Sequence, residues 1–100
     1  MATDRPVTDA LAVQAEGALV LDVREAAEVA QGSVPGAVHI PLGDLPSRLG
    51  ELPRDRVIAC LCRSGNRSGT AANYLNDQGF DALNLVGGML AWTGETQPIT

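Results

Sequence analysis

One hundred residues fit one small domain, residues 1–100, because domains commonly run from about 50 to 250 residues. A hydrophobic share of 45% beside 19% charge marks a globular chain rather than a disordered one, and no apolar stretch approaches the length of a membrane span. Twelve acids against seven bases leave a net charge of -5, which disfavours neutralising phosphates, so neither nucleic acid nor an anionic membrane is expected as a partner.

All seven bases are arginine, which excludes phosphate-loop lysines and Schiff-base chemistry by composition. Two cysteines and one histidine cannot supply the four ligands of a structural zinc site, and only carboxylates could complete a catalytic one, so no metal is expected; no cofactor is expected either. The start, Met-Ala-Thr-Asp-Arg-Pro, has neither a basic head nor an apolar signal core, and the cytoplasm is the expected compartment.

A short extended piece around Pro6 and Val7 opens the chain. Thr8 then caps a helix with Asp9 in its first turn, Leu11 and Ala15 on its inner face and Gly17 as its stop. Residues 18–23, Ala-Leu-Val-Leu-Asp-Val, form a near-continuous apolar run, the pattern of a parallel strand covered on both faces. Residues 24–31 suit a short helix, residues 32–36 with Pro35 a turn, and residues 37–40 a third strand.

Leu42, Leu45, Leu49 and Leu52 are spaced by three and four, which predicts a helical turn or two near Pro46. Residues 57–62, Val-Ile-Ala-Cys-Leu-Cys, make the clearest buried strand, and it runs straight into a polar loop. A helix over residues 67–78 presents Ala71, Tyr74 and Leu75, stops at Gly79 and sends Phe80 back to the core. Residues 82–86 are a fifth strand, and Gly87-Gly88 turns into a last helix whose Met89, Leu90 and Trp92 lid the core. Strands alternating with helices imply a parallel α/β sheet.

In such sheets ligands gather beyond the carboxyl ends of the strands, where Cys62 is followed by Arg63-Ser64-Gly65-Asn66-Arg67-Ser68. If this loop curls, its consecutive N–H groups converge on the sulfur and the start of the next helix adds positive potential, both favouring a thiolate. Arg63 and Arg67 supply cations that hold an oxyanion against it. Cys62 is thus a candidate nucleophile on a solvent-facing loop, with Arg63, Ser64, Gly65, Asn66, Arg67 and Ser68 as substrate-binding residues.

The segment Cys62-Arg63-Ser64-Gly65-Asn66-Arg67-Ser68 resembles the active-site loop of the rhodanese sulfurtransferase family. Leu21-Asp22-Val23-Arg24-Glu25 with Glu28, followed by the turn Gly32-Ser33-Val34-Pro35-Gly36-Ala37 and by Ile40-Pro41, is similar to that family's first signature. Leu85-Val86-Gly87-Gly88-Met89 with Ala91-Trp92 is similar to its C-terminal one.

The resemblance implies a rhodanese-like α/β fold, a five-stranded parallel sheet of order 1-5-4-2-3 with helices on both faces. It implies a sulfurtransferase of the thiosulfate:cyanide type, working by double displacement through a Cys62 persulfide. Its partners would be a small anionic sulfur donor and a thiophilic acceptor, namely cyanide, a thiol or an acceptor protein. The sequence departs from the family at Ser64, where thiosulfate-specific vertebrate members carry a cation, and at Ser33 and Val34, where members often have His.

A small buried residue at a strand end is the plain alternative for Cys62, but the polar loop, two arginines and the helix start argue against it. Cys60, inside the apolar run, is expected to be a packing residue, and the two sulfurs a pair of thiols rather than a disulfide. Asp22 and Arg24 are expected to pair and brace the Cys62 loop, His39 to be an edge or core residue, and Trp92 and Tyr74 to pack.

Two rival functions remain. A Cys-dependent phosphatase or arsenate reductase would place a longer run between Cys and Arg than the four residues, 63–66, present here. A non-enzymatic interaction or regulatory domain would usually lack the cysteine.

Overall fold

The computed structural model describes residues 3–99; Met1, Ala2 and Thr100, which the single-domain expectation includes, lie outside the described residues. Its strands are β1 (Thr3–Pro6), β2 (Leu19–Asp22), β3 (Val38–His39), β4 (Val57–Leu61) and β5 (Asp81–Val86). They pair in parallel in the order β1-β5-β4-β2-β3. The helices are α1 (Ala10–Ala15), α2 (Ala26–Val29), α3 (Leu45–Arg48), α4 (Asn66–Asp77) and α5 (Gly88–Ala91), with 3-10 turns at Val7–Asp9, Leu42–Asp44 and Leu49–Glu51.

The apolar run of β4 is explained by its place between β5 and β2, where both of its faces are covered. Alternation sends Ile58, Cys60 and, just past the strand, Cys62 to one side, against Ala71, Ala72 and Leu75 of α4 and Leu45 of α3. Ala59 and Leu61 point the other way, with Val20 and Leu85, to meet Val7, Ala10 and Val13. Half-buried Met89 and Trp92 complete that second layer, and half-buried Tyr74 packs on the first.

Helix α4 stops as its sequence predicts. Gly79 takes φ +89°, and the Phe80 N–H returns to the Leu75 carbonyl at 3.0 Å. Phe80 is buried, with the Arg54 guanidinium 4.1 Å from its ring centroid.

The first helix departs from expectation. Val7–Asp9 winds as a 3-10 turn, so Thr8 is exposed inside it and makes no capping bond. The tighter turn also shifts the phase of the helix behind it: Val7, Ala10 and Val13, three apart, form the buried stripe, while Ala15 is exposed and Leu11 is 52% exposed. At the other end of the chain Leu90, expected to lid the core, is 64% exposed, because the single turn of α5 directs only Met89 and Trp92 inward. No helix among the described residues is long and apolar enough to cross a membrane.

Candidate active site at the Cys62 loop

Strand β4 ends at Leu61, and the chain then curls around the Cys62 sulfur. Two sets of backbone contacts enforce the curl. The Met89 and Leu90 N–H groups of α5 donate to the carbonyls of Cys62 and Arg63, at 2.9 and 3.0 Å, which turns those oxygens away from the sulfur. This approach requires Gly88: a Cβ there would lie 2.5 Å from Cys62 O, Arg63 C and Arg63 O.

Beyond Arg63 the loop turns at Gly65, whose φ of +109° is left-handed backbone, and its N–H donates to Cys62 Sγ at 3.0 Å. The Ser68 hydroxyl lies 3.2 Å from the same sulfur. Burial pushes the Cys62 pKa up, but the Ser68 hydroxyl and the amides of Ser68, Gly65 and Ser64 together outweigh it and hold the thiol below its ordinary value. The anion-stabilising wrap is therefore present, built from hydrogen bonds.

Cys62 is nevertheless fully buried rather than solvent-facing, because α4 begins over one side of it and α5 closes the other. Cys60, two residues earlier on the same side of the strand, is buried without such donors, and desolvation together with the neighbouring Cys62 charge pushes its thiol up to about 12. Both cysteines are free.

The two arginines of the loop stand apart. Arg67 forks its guanidinium onto Glu28 of α2 at 2.7 and 2.9 Å, and this contact, against partial desolvation and with help from the Glu25 amide, lowers the Glu28 carboxyl to about 2. Its charge still falls on the Cys62 sulfur. Arg63 is exposed and, among the described residues, its side chain has no partner. It borders a cleft of about 390 Å³ that Glu28, Gly32, Met89 and Leu90 also line. Ser64 and Asn66 are exposed beside it.

Asp22 and Arg24 pair as expected, buried, at 2.8 Å. The loop they brace is a different one: Asp22 accepts the Ser33 hydroxyl at 2.6 Å, and Arg24 donates to the Gly32 carbonyl at 2.8 Å. Both side chains fold over the turn at 32–33 because that turn lies beside the end of β2. Ser33 thus makes a polar contact to the Asp22–Arg24 pair. The His39 Nε2 donates to the Arg24 carbonyl at 2.7 Å and belongs to this brace.

Asn84 of β5 is the part that the sequence pattern did not single out. It is buried, donates to the Gly65 carbonyl at 3.1 Å, and meets the Ser68 hydroxyl at 2.6 Å. A lone amide between Leu83 and Leu85 in an apolar strand was the available signal. Among the described residues, no group of three or more His, Cys, Asp or Glu side chains gathers to hold a metal ion.

Comparisons with known proteins identify the family and the fold. The rhodanese-like domain family matches residues 7–95. A putative sulfurtransferase of Bacillus subtilis, YtwF, is 49% identical over 79 residues, covering 79% of this chain and 77% of that protein. A sulfurtransferase of Allochromatium vinosum is 45% identical over 85 residues, covering 84% and 79%. A rhodanese-like domain protein from Staphylococcus aureus superposes with a TM-score of 0.88 at 29% identity, covering 98% of this chain and 99% of the other. Sequence, sheet order and the wrapped cysteine converge on one assignment: the chain belongs to the rhodanese-like domain family.

Proposed function

We propose that the protein is a sulfurtransferase that moves a sulfane sulfur from thiosulfate, or from a persulfide donor, through a Cys62 persulfide to a thiophilic acceptor. The observation that carries this reading is the convergence of the Gly65 N–H and the Ser68 hydroxyl on one buried sulfur. A thiolate held this way attacks the outer sulfur of thiosulfate, the sulfur–sulfur bond of the donor breaks, and sulfite leaves with the electron pair. Cys62 then carries one extra sulfur with a single negative charge at its end, inside a ring of amide dipoles suited to it. Cyanide or a thiolate attacks that outer sulfur and Cys62 departs as the thiolate, which restores the resting site.

Arg63 is the side chain suited to orient the incoming anion, since it is exposed and borders the cleft, and Ser64 and Asn66 of the same loop are also exposed. Arg67, held by Glu28, stiffens the start of α4 and contributes its field. Several relatives support the donor class: proteins of three Pseudomonas species, 32% to 36% identical to this chain, are thiosulfate sulfurtransferases by name. A reducing compartment such as the cytoplasm suits a site that works through a free thiol.

Intact-mass measurement after thiosulfate treatment tests the reading. The expected product carries one added sulfur, cyanide removes it, and Cys62→Ser protein never acquires it. Unchanged mass in the unsubstituted protein, or an equal gain in the Cys62→Ser variant, would overturn it.

A further inference from the structure

The hydroxyl of Ser68 has one proton and two claimants. It lies 2.6 Å from Asn84 Oδ1 and 3.2 Å from Cys62 Sγ, and all three residues are buried. The orientation of the Asn84 amide is set by its other end: Nδ2 faces the Gly65 carbonyl at 3.1 Å, an oxygen that only accepts. The amide oxygen must therefore face Ser68, where it too can only accept. While the hydroxyl donates to Asn84, its lone pair faces the sulfur, an arrangement that suits a thiol donating its own proton. When Cys62 ionises, the hydroxyl serves the sulfur only by turning away from the amide oxygen, which then loses its short bond in a buried place.

We propose that Asn84 is a positioning residue for Cys62: it competes with the sulfur for the single Ser68 proton and so sets how readily the thiol ionises. The inference rests on the reading of Cys62 as the nucleophile. The neutral inner sulfur of a persulfide is a poor acceptor, so in that state the proton returns to Asn84, and the hydroxyl is satisfied at every stage of the cycle. The charged and titratable groups around the sulfur are few: Cys60 of β4, Arg63 of the loop, and Arg67 of α4, itself paired with Glu28 of α2. Cys60 is the ladder partner of Asn84, and Asn84 also holds the Gly65 carbonyl, so the hydroxyl's own part is the part of the shift that Ser68→Ala abolishes.

The test is a pH titration of the ultraviolet thiolate absorbance, taken as the difference from Cys62→Ser protein. Asn84→Leu is expected to lower the Cys62 pKa by about half to one unit, the worth of one contested neutral hydrogen bond. Ser68→Ala is expected to raise it, and Asn84→Leu added to Ser68→Ala is expected to move it no further. An unchanged or raised pKa in Asn84→Leu, or the same shift in both backgrounds, would overturn the proposal.

Gly69→Ala provides a second approach that keeps the helix intact. Its Cβ would stand 3.3 Å from Asn84 Nδ2 and push the amide aside, so a smaller fall is expected, again abolished by Ser68→Ala. No shift there would also count against the proposal. Failure of sulfur transfer in the mass experiment is a separate result, because the titration reads ionisation whether or not sulfur moves.

Discussion

Replacing Gly88 by alanine should damage the Cys62 loop from outside it. The added Cβ would meet Cys62 O, Arg63 C and Arg63 O at 2.5 Å, all backbone atoms that cannot swing away as a side-chain tip would. The residue also sits at φ +54°, left-handed backbone that costs an L-residue roughly 1–2 kcal/mol. Relieving the clash means moving α5 off the loop, which sacrifices the Met89 and Leu90 bonds to Cys62 and Arg63, each worth about 1 kcal/mol. A loss of about 3–4 kcal/mol is expected, a large fraction of the roughly 5–15 kcal/mol that stabilises an ordinary domain.

For a chain of this length such a loss lowers the melting midpoint on the order of 15 °C. Thermal melts should be run beside Gly50→Ala, where nothing lies within 4 Å of the new Cβ and little change is expected. Because the carbonyls of residues 62 and 63 are released toward the sulfur, the Cys62 pKa should also rise in the Gly88→Ala variant. A Gly88→Ala protein that melts with the Gly50→Ala control, or that loses stability while its thiol titrates unchanged, would refute the claim that α5 shapes the loop.

Asp22→Asn should cost about 3–5 kcal/mol in urea unfolding, since it strips the charge partner from buried Arg24; a loss below about 1 kcal/mol would show the pair to be dispensable. The Glu28 carboxyl is depressed from 4.5 to about 2 in the folded chain, so its contribution is fully present above pH 4.5 and is lost as pH falls from there through about 2. With both side chains about a third exposed, solvent screening reduces this to about 1 kcal/mol, and Glu28→Gln should flatten that part of the acid-unfolding profile. Arg63→Gln should raise the KM for thiosulfate about tenfold with kcat little altered, as expected for loss of one charge-assisted contact made in the ground state and transition state alike. Under iodoacetamide at neutral pH, Cys60, whose thiol at about 12 stays protonated and buried in the folded chain, should react only once the chain unfolds; labelling of Cys60 in native protein would refute its assigned environment.

Much of this architecture was legible wherever local pattern and burial coincide. The run from Val57 to Cys62 reads as a central strand because it is covered on both faces, and Gly79 with Phe80 reads as a helix stop because a left-handed residue and a returning apolar one are both required. The wrapped cysteine was legible for a similar reason, since its donors, main-chain amides and the Ser68 hydroxyl, all lie within the six residues that follow it. The features that escaped depend on phase or on distance. Leu11 and Val13 are interchangeable on hydrophobicity, and only the 3-10 turn before them decides which goes inward. Leu90 is as apolar as its neighbours, yet a helix of one turn cannot bury every side. The fork of Arg67 onto Glu28 joins residues 39 apart, and the grip of Asn84 on Gly65 joins residues 19 apart. No spacing rule spans such intervals; only the packed sheet brings them together.

The strand at one border of the sheet has a consequence for how copies of this protein meet. β3 contributes only two residues, Val38 and His39, and the His39 ring is folded back onto the Arg24 carbonyl. A foreign chain seeking a ladder to extend would find two rungs and then a proline, Pro41, which offers no N–H. Fibre growth or strand swapping through that border is thereby discouraged by the strand's brevity and by that proline, although Val38 is open to solvent there.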